Sequence, residues 1–175
     1  MSLRTTIPDR LFHASRFDGR IAVFAPLSHF GTKEAALHRA RAGVFEGADR
    51  ALLYEVSLAI RRPLPMLDLR QTVHSWLKLA DALHYGRPKI LSAEDRIAIL
   101  DASAPAGSNG EAATATLCRL LMEKGYDSIA YRNVHEDPGS LSFIILDPAQ
   151  ATVLSVREVA DVLDDKDLDS LGPAL

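Results

Sequence analysis

"YDSIAYRNVHEDPGSLSFIILDPAQATVLSV", Tyr126–Val156, decides the fold class. Ser128–Tyr131 and Leu141–Leu146 are short apolar runs, and Thr152–Val156 is a third strand-like segment. Between the first two lies a polar loop, Arg132–Ser140, that contains Pro138 and Gly139. Between the second and third is the Asp147–Pro148 turn. These are strand and turn signals. The gaps are too short for helical crossovers, so the strands should pair largely antiparallel.

Working outward, "LYEVSLAI" at Leu53–Ile60 alternates. Tyr54, Val56, Leu58 and Ile60 point one way and Glu55, Ser57 and Ala59 the other, the pattern of a half-buried strand. The two prolines of "RRPLPMLDL" make the next segment a strand exit or an edge. Arg10–Ala14 reads as a first strand, and Gly19–Leu27 as a loop or short strand ending at Pro26. Helical spacing is expected over Lys33–Ala42 behind a Thr32 cap, over Thr72–Gly86, over Ser92–Leu100 with Ser92 and Asp95 as a capping box, and over Glu111–Gly125. Ser103–Gly110 reads as a flexible loop. The order implies a single α+β domain over residues 1–175, not a doubly wound α/β fold. Its core spans about 10–156, with a short helix and acidic tail over 157–175.

Hydrophobic residues make up 47% of the 175, enough for a real core, and the net charge is -3. That balance argues against sequence-independent nucleic-acid binding, which needs a basic surface. The lone Cys118 excludes an internal disulfide and a CxxC metal site, and fits a reducing compartment. "MSLRTTIPDR" lacks the apolar core of a signal peptide, and no apolar run approaches a spanning helix. A soluble, cytoplasmic protein with no membrane partner is expected.

No Walker loop, GxGxxG, HExxH or GxSxG is present. His135, Glu136 and Asp137, with His13 or His29, form a conceivable metal set. Their position in a loop beside Pro138 and Gly139 weighs against it, and no metal is expected. Cys118 falls mid-helix among leucines and reads as a small core residue. His38, His74 and His84 lie on expected helices. His13 sits inside an apolar strand and needs a hydrogen-bond partner if buried. On local sequence it is either a satisfied core histidine or a ligand-binding one. His29, before Phe30 and Gly31, is either a turn residue or a ligand. Glu136 alone reads as a solvated loop charge.

The order of "LFHAS", "HFGTKEAALHRA", "LYEVSLAIRRPLPMLD" and "EKGYDSIAYRNVHEDPGSLSFIILDPAQ" resembles the small ADP-ribosyltransferase-like domains of bacterial toxins and phage polyvalent proteins. In those domains a histidine ends the first strand, an "FGT"-like turn starts the next helix, and a strand ends at Pro-Leu-x-x-x-Asp. A Gly-Tyr-Asp segment then leads through a glutamate to Asp-Pro-x-Gln. The resemblance spans Leu11 to Gln150.

The resemblance implies a split β-sandwich of two small, mainly antiparallel sheets, with NAD⁺ as substrate in the cleft between them. It makes His13 a ligand of a ribose hydroxyl. Ala14 would grip the nicotinamide amide through its backbone, with Ser15 nearby. Phe30, Gly31 and Thr32 would form the second motif, with Phe30 stacked on nicotinamide, and Glu136 would be the catalytic acid. It further implies an unidentified macromolecular acceptor and a cognate antitoxin or immunity protein. Cleaving the nicotinamide–ribose bond develops positive charge on the ribose, as in glycoside cleavage. A carboxylate bonded to the ribose 2′-hydroxyl stabilises that charge. This sequence departs from the pattern at Ala14 (usually Gly), at Ser128 (usually Gly) and at Val134. Arginine-specific members carry Glu or Gln at the last position, so arginine modification is not implied. The alternatives are an NAD⁺ glycohydrolase and a catalytically inactive binding domain on the same scaffold.

Overall fold

The structure is a computed structural model that describes residues 6–15, 20–41, 51–69, 76–104 and 110–163. In chain order it contains β1 (Leu11–Ser15), β2 (His29–Phe30), α1 (Lys33–Arg41), β3 (Leu52–Leu58), β4 (Pro63–Met66), α2 (Trp76–Tyr85), α3 (Ala93–Ser103) and α4 (Glu111–Glu123). β5 (Ser128–Arg132), β6 (Leu141–Ile145) and β7 (Ala151–Glu158) follow, then a helical turn over residues 159–163. The fold is α+β. One sheet has the order β1-β3-β7 and the other β2-β6-β5-β4. Every pairing is antiparallel except β4 with β5, which is parallel. β4 lies at a sheet edge, where prolines are tolerated.

Strand alternation sorts the core into three clusters. Leu11, Tyr54 and Val56 of the first sheet bury against Phe30, Ala130, Phe143 and Ile145 of the second. Ala14 and Leu53, on the other face of the first sheet, bury against Ala36, Leu37 and Ala40 of α1. Ile129 and Ile144, on the other face of the second sheet, bury against Leu79, Leu83, Leu117 and Leu121 of α2 and α4. The layers thus stack as helix, sheet, sheet, helix, and each sheet buries both faces.

The "GYD" and "DPAQ" signatures are structural. Asp127 accepts the backbone N–H groups of Arg61 and Arg62 at 2.6 and 3.0 Å, which seats β4 beside β5. Ser128, completely buried, donates to Asp127 Oδ1 at 2.8 Å, so serine in place of glycine is accommodated by its own hydrogen bond. Gln150 accepts from the Leu146 and Asp147 N–H groups and donates to the Asp127 carbonyl. Asp147 caps the Pro148–Gln150 turn in return. The Ser92–Asp95 capping box forms as expected.

The expected helix at Lys33–Ala42 is seen as Lys33–Arg41. Of the helix expected at Thr72–Gly86, Trp76–Tyr85 is seen and residues 72–75 lie outside the described residues. Residues 105–109 of the expected flexible loop, and the tail from 164, also lie outside them. Of the segment Gly19–Leu27, read as a loop or short strand, residues 20–27 contain no strand and form a loop, and Gly19 lies outside the described residues. Among the described residues no helix is long and apolar enough to cross a membrane.

Candidate active site

The two sheets join at one corner. The Phe12 N–H donates to the Gly31 carbonyl at 2.8 Å, and the Gly31 N–H to the Phe12 carbonyl at 3.0 Å. A Cβ at position 31 would lie 2.6 Å from Ser142 Oγ, so a larger residue there needs that hydroxyl to move. Beside this bridge a cleft opens. Phe12, His13 and Ala14 of β1 form one wall, and His29, Phe30 and Gly31 another. Ala35, Ala36 and Arg39 of α1 close a third side, and Tyr131, Asn133, Ser142 and Glu136 complete it. His13 and Glu136, far apart in sequence, therefore face one space.

His13 Nδ1 donates to the His29 carbonyl at 2.8 Å. A carbonyl only accepts, so the proton of this bond sits on Nδ1. The ring packs edge-on to Phe24 at 5.2 Å and tilted to Phe30 at 5.5 Å. His13 is thus both a bonded, partly buried histidine and a cleft wall. Ala14 has its methyl in the cluster with Ala36 and Leu37, a place for the extra carbon that Gly lacks.

Phe30 departs from the stacking expectation. It is 1% exposed and its ring meets Phe24 edge-to-face at 4.9 Å, so it is floor rather than platform. Stacking on nicotinamide would need Phe24 and His13 to give up their contacts. Ser15 and Thr32 are not among the lining residues. Thr32 instead accepts from the Ala35 N–H at 3.1 Å, capping α1, and donates to Asp137 Oδ2 at 2.6 Å.

Glu136 rides on the loop between β5 and β6, and that loop is pinned at several points. Asn133, 3% exposed, bonds both ways with the backbone of Gly139 and Ser140 and donates through Nδ2 to Ser140 Oγ and Ser142 Oγ. The Val134 N–H donates to Asp68 Oδ2 at 2.9 Å. Asp137 is held by Thr32. These bonds fix the loop that carries Glu136. Tyr131 stands 3.0 Å from His29 Nδ1, and burial pushes its hydroxyl up to about 12.

Sequence reasoning missed Arg39, whose guanidinium donates to Glu136 Oε1 at 3.0 Å. The signal was the helical spacing of "AALHR": Ala35 and Ala36 leave space at the cleft, and Arg39 follows one turn later on the same face. A second, larger recess of about 180 Å³ adjoins the first, whose volume is about 30 Å³. The two share His13, His29 and Arg39. Leu27, in the wall of the larger recess, holds a left-handed backbone (φ 66°) that costs a leucine about 1–2 kcal/mol. The bond from its N–H to the Ile145 carbonyl at 2.9 Å helps hold it there. Among the described residues no group of three His, Cys, Asp or Glu side chains is placed to hold a metal ion, and His135 is exposed.

No family model and no curated protein matches the chain. A solved structure described as the crystal structure of an anti-CRISPR protein is similar at 17% identity over 82% of this chain and 92% of that one. Its TM-score of 0.29 is too low to bear on fold or function.

Proposed function

We propose that this protein is an ADP-ribosyltransferase-like enzyme that cleaves NAD⁺ at the nicotinamide–ribose bond and transfers ADP-ribose to an acceptor. The observation that carries the reading is the shared cleft of His13 and Glu136 at the junction of two small sheets. The His13 ring is a hydrogen-bonding group suited to a ribose hydroxyl. Glu136 is a carboxylate in a partly dehydrated wall, suited to a 2′-hydroxyl and to the charge that grows on the ribose. In the reaction the C1′–N bond breaks and its electron pair goes to the nicotinamide nitrogen. The acceptor's nucleophilic atom bonds C1′, and its proton passes to Glu136 or to water. The backbone of Ala14 stands beside His13 in the cleft wall, where the nicotinamide amide would be held.

Calorimetric titration with NAD⁺, followed by chromatography of the products, tests the reading. Binding with nicotinamide release supports it. Binding without release favours the inactive binding domain, and neither binding nor release removes NAD⁺ from the account. Mass spectrometry of a proteome incubated with the protein then separates transfer, which leaves ADP-ribose on a target, from hydrolysis, which does not.

A further inference from the structure

We infer that the larger recess is a phosphate subsite whose cation is Arg39, and that phosphate bound there competes with Glu136 for the guanidinium. The inference deepens the NAD⁺ reading and rests on it only for the source of the phosphate.

Size comes first. A water needs roughly 10–15 Å³ of such volume. The inner cleft, about 30 Å³, has room for about two waters, whereas the recess, about 180 Å³, has room for a phosphate group. Chemistry comes second. Arg39, His29 and the hydroxyl residues Ser28 and Thr114 line the recess, Ala25 and Pro26 wall it, and among the described residues no Asp or Glu lines it. Arg39 belongs to both spaces and uses one terminal amine for Glu136. A guanidinium carries five N–H donors in a planar fork that matches phosphate oxygens, so donors remain for an anion on the recess side. Position comes third. The Arg39–Glu136 pair spans the boundary between the two spaces and is only partly exposed, at 28% and 21%. Phosphate in the recess draws Arg39 from the acid. Glu136 is then released toward the inner cleft, where a ribose hydroxyl would meet it. A nicotinamide substrate that carries phosphate thus opens the site that a phosphate-free one leaves latched.

The test is calorimetric titration with inorganic pyrophosphate of the wild type, Arg39→Gln, Arg39→Lys and Glu136→Gln, each checked for an unchanged thermal unfolding curve. Arg39→Gln should weaken binding by about tenfold or more, the loss of charge-assisted bonds. Arg39→Lys should fall between, because a point charge replaces a fork. Glu136→Gln should tighten binding by up to about fivefold, the worth of a partly exposed ion pair that no longer competes. If Arg39→Gln does not fold, the opposite signs expected for Arg39→Lys and Glu136→Gln carry the test. ADP-ribose separates the sources. If it displaces pyrophosphate, the dinucleotide supplies the phosphate. If both bind together, the acceptor does. No pyrophosphate binding by the wild type, equal binding by Arg39→Gln, or weaker binding by Glu136→Gln overturns the subsite. Intact pyrophosphate binding with neither NAD⁺ binding nor turnover overturns the NAD⁺ reading and leaves the subsite standing.

Discussion

Thr32 Oγ1 stands 2.6 Å from Asp137 Oδ2, so the first turn of α1 and the loop bearing Glu136 form one hydrogen-bonded unit. The same oxygen caps the helix by accepting from the Ala35 N–H. Thr32→Val removes both bonds and should lower stability by about 1–2 kcal/mol in urea denaturation. Thr32→Ser keeps both and should stay within about 0.5 kcal/mol of wild type. Equal stability for all three proteins would show that the bond is not made in solution.

Asn133 is the second pin of that loop. Asn133→Ala leaves Ser140 Oγ and the buried Ser142 Oγ without their Nδ2 donor. A cost of about 2–3 kcal/mol is expected. Nicotinamide release should fall even at temperatures where the variant is fully folded, because the loop no longer fixes Glu136. A destabilised variant with full turnover would show that the loop places Glu136 without Asn133.

Gly31 and Ser142 are coupled by contact. Gly31→Ala puts a methyl 2.6 Å from Ser142 Oγ and should cost about 1–3 kcal/mol. In a Ser142→Ala background the nearest remaining contacts are 3.4 Å to the Ala35 Cβ and 3.7 Å to the residue-142 Cβ, ordinary distances. The second substitution should therefore absorb much of the first one's cost in a double-mutant cycle. Strict additivity would contradict the packing described.

Stability should fall on the alkaline side. Burial pushes the Cys118 thiol from 9.0 to about 12 and the Tyr131 hydroxyl from 10.0 to about 12. Both groups hold their protons in the folded state at pH values where the unfolded chain has lost them. Their contribution is whole below about pH 9 and disappears as pH rises toward about 12. Thermal midpoints measured from pH 8 to 11 should drop, and Tyr131→Phe should flatten the upper part of the drop. By the same argument Cys118 should resist thiol reagents at pH 8 until the protein unfolds.

The α+β class, the strands expected at Arg10–Ala14 and Ser128–Tyr131 and seen at Leu11–Ser15 and Ser128–Arg132, and the capped helices were legible because alternation and caps are local signals. The β4–β5 parallel pair was not, because Asp127 fixes it by reaching a neighbouring segment, an interaction that leaves no period in the sequence. In the site, His13 and Glu136 were legible as candidates, and their common cleft was not. Arg39 was hidden because a basic residue on an expected helix reads as solvated. The burial of Phe30 was hidden because Phe24, which meets its ring, sits in a stretch without periodicity.

The central claim is that Glu136 acts on NAD⁺ in the cleft it shares with His13. Its most direct test is the rate of nicotinamide release by wild-type protein and by Glu136→Gln of matched thermal stability. The account predicts release by the wild type and a fall of about a hundredfold or more in the variant, the scale on which a transition-state charge partner counts. Release by both at the same rate would contradict it.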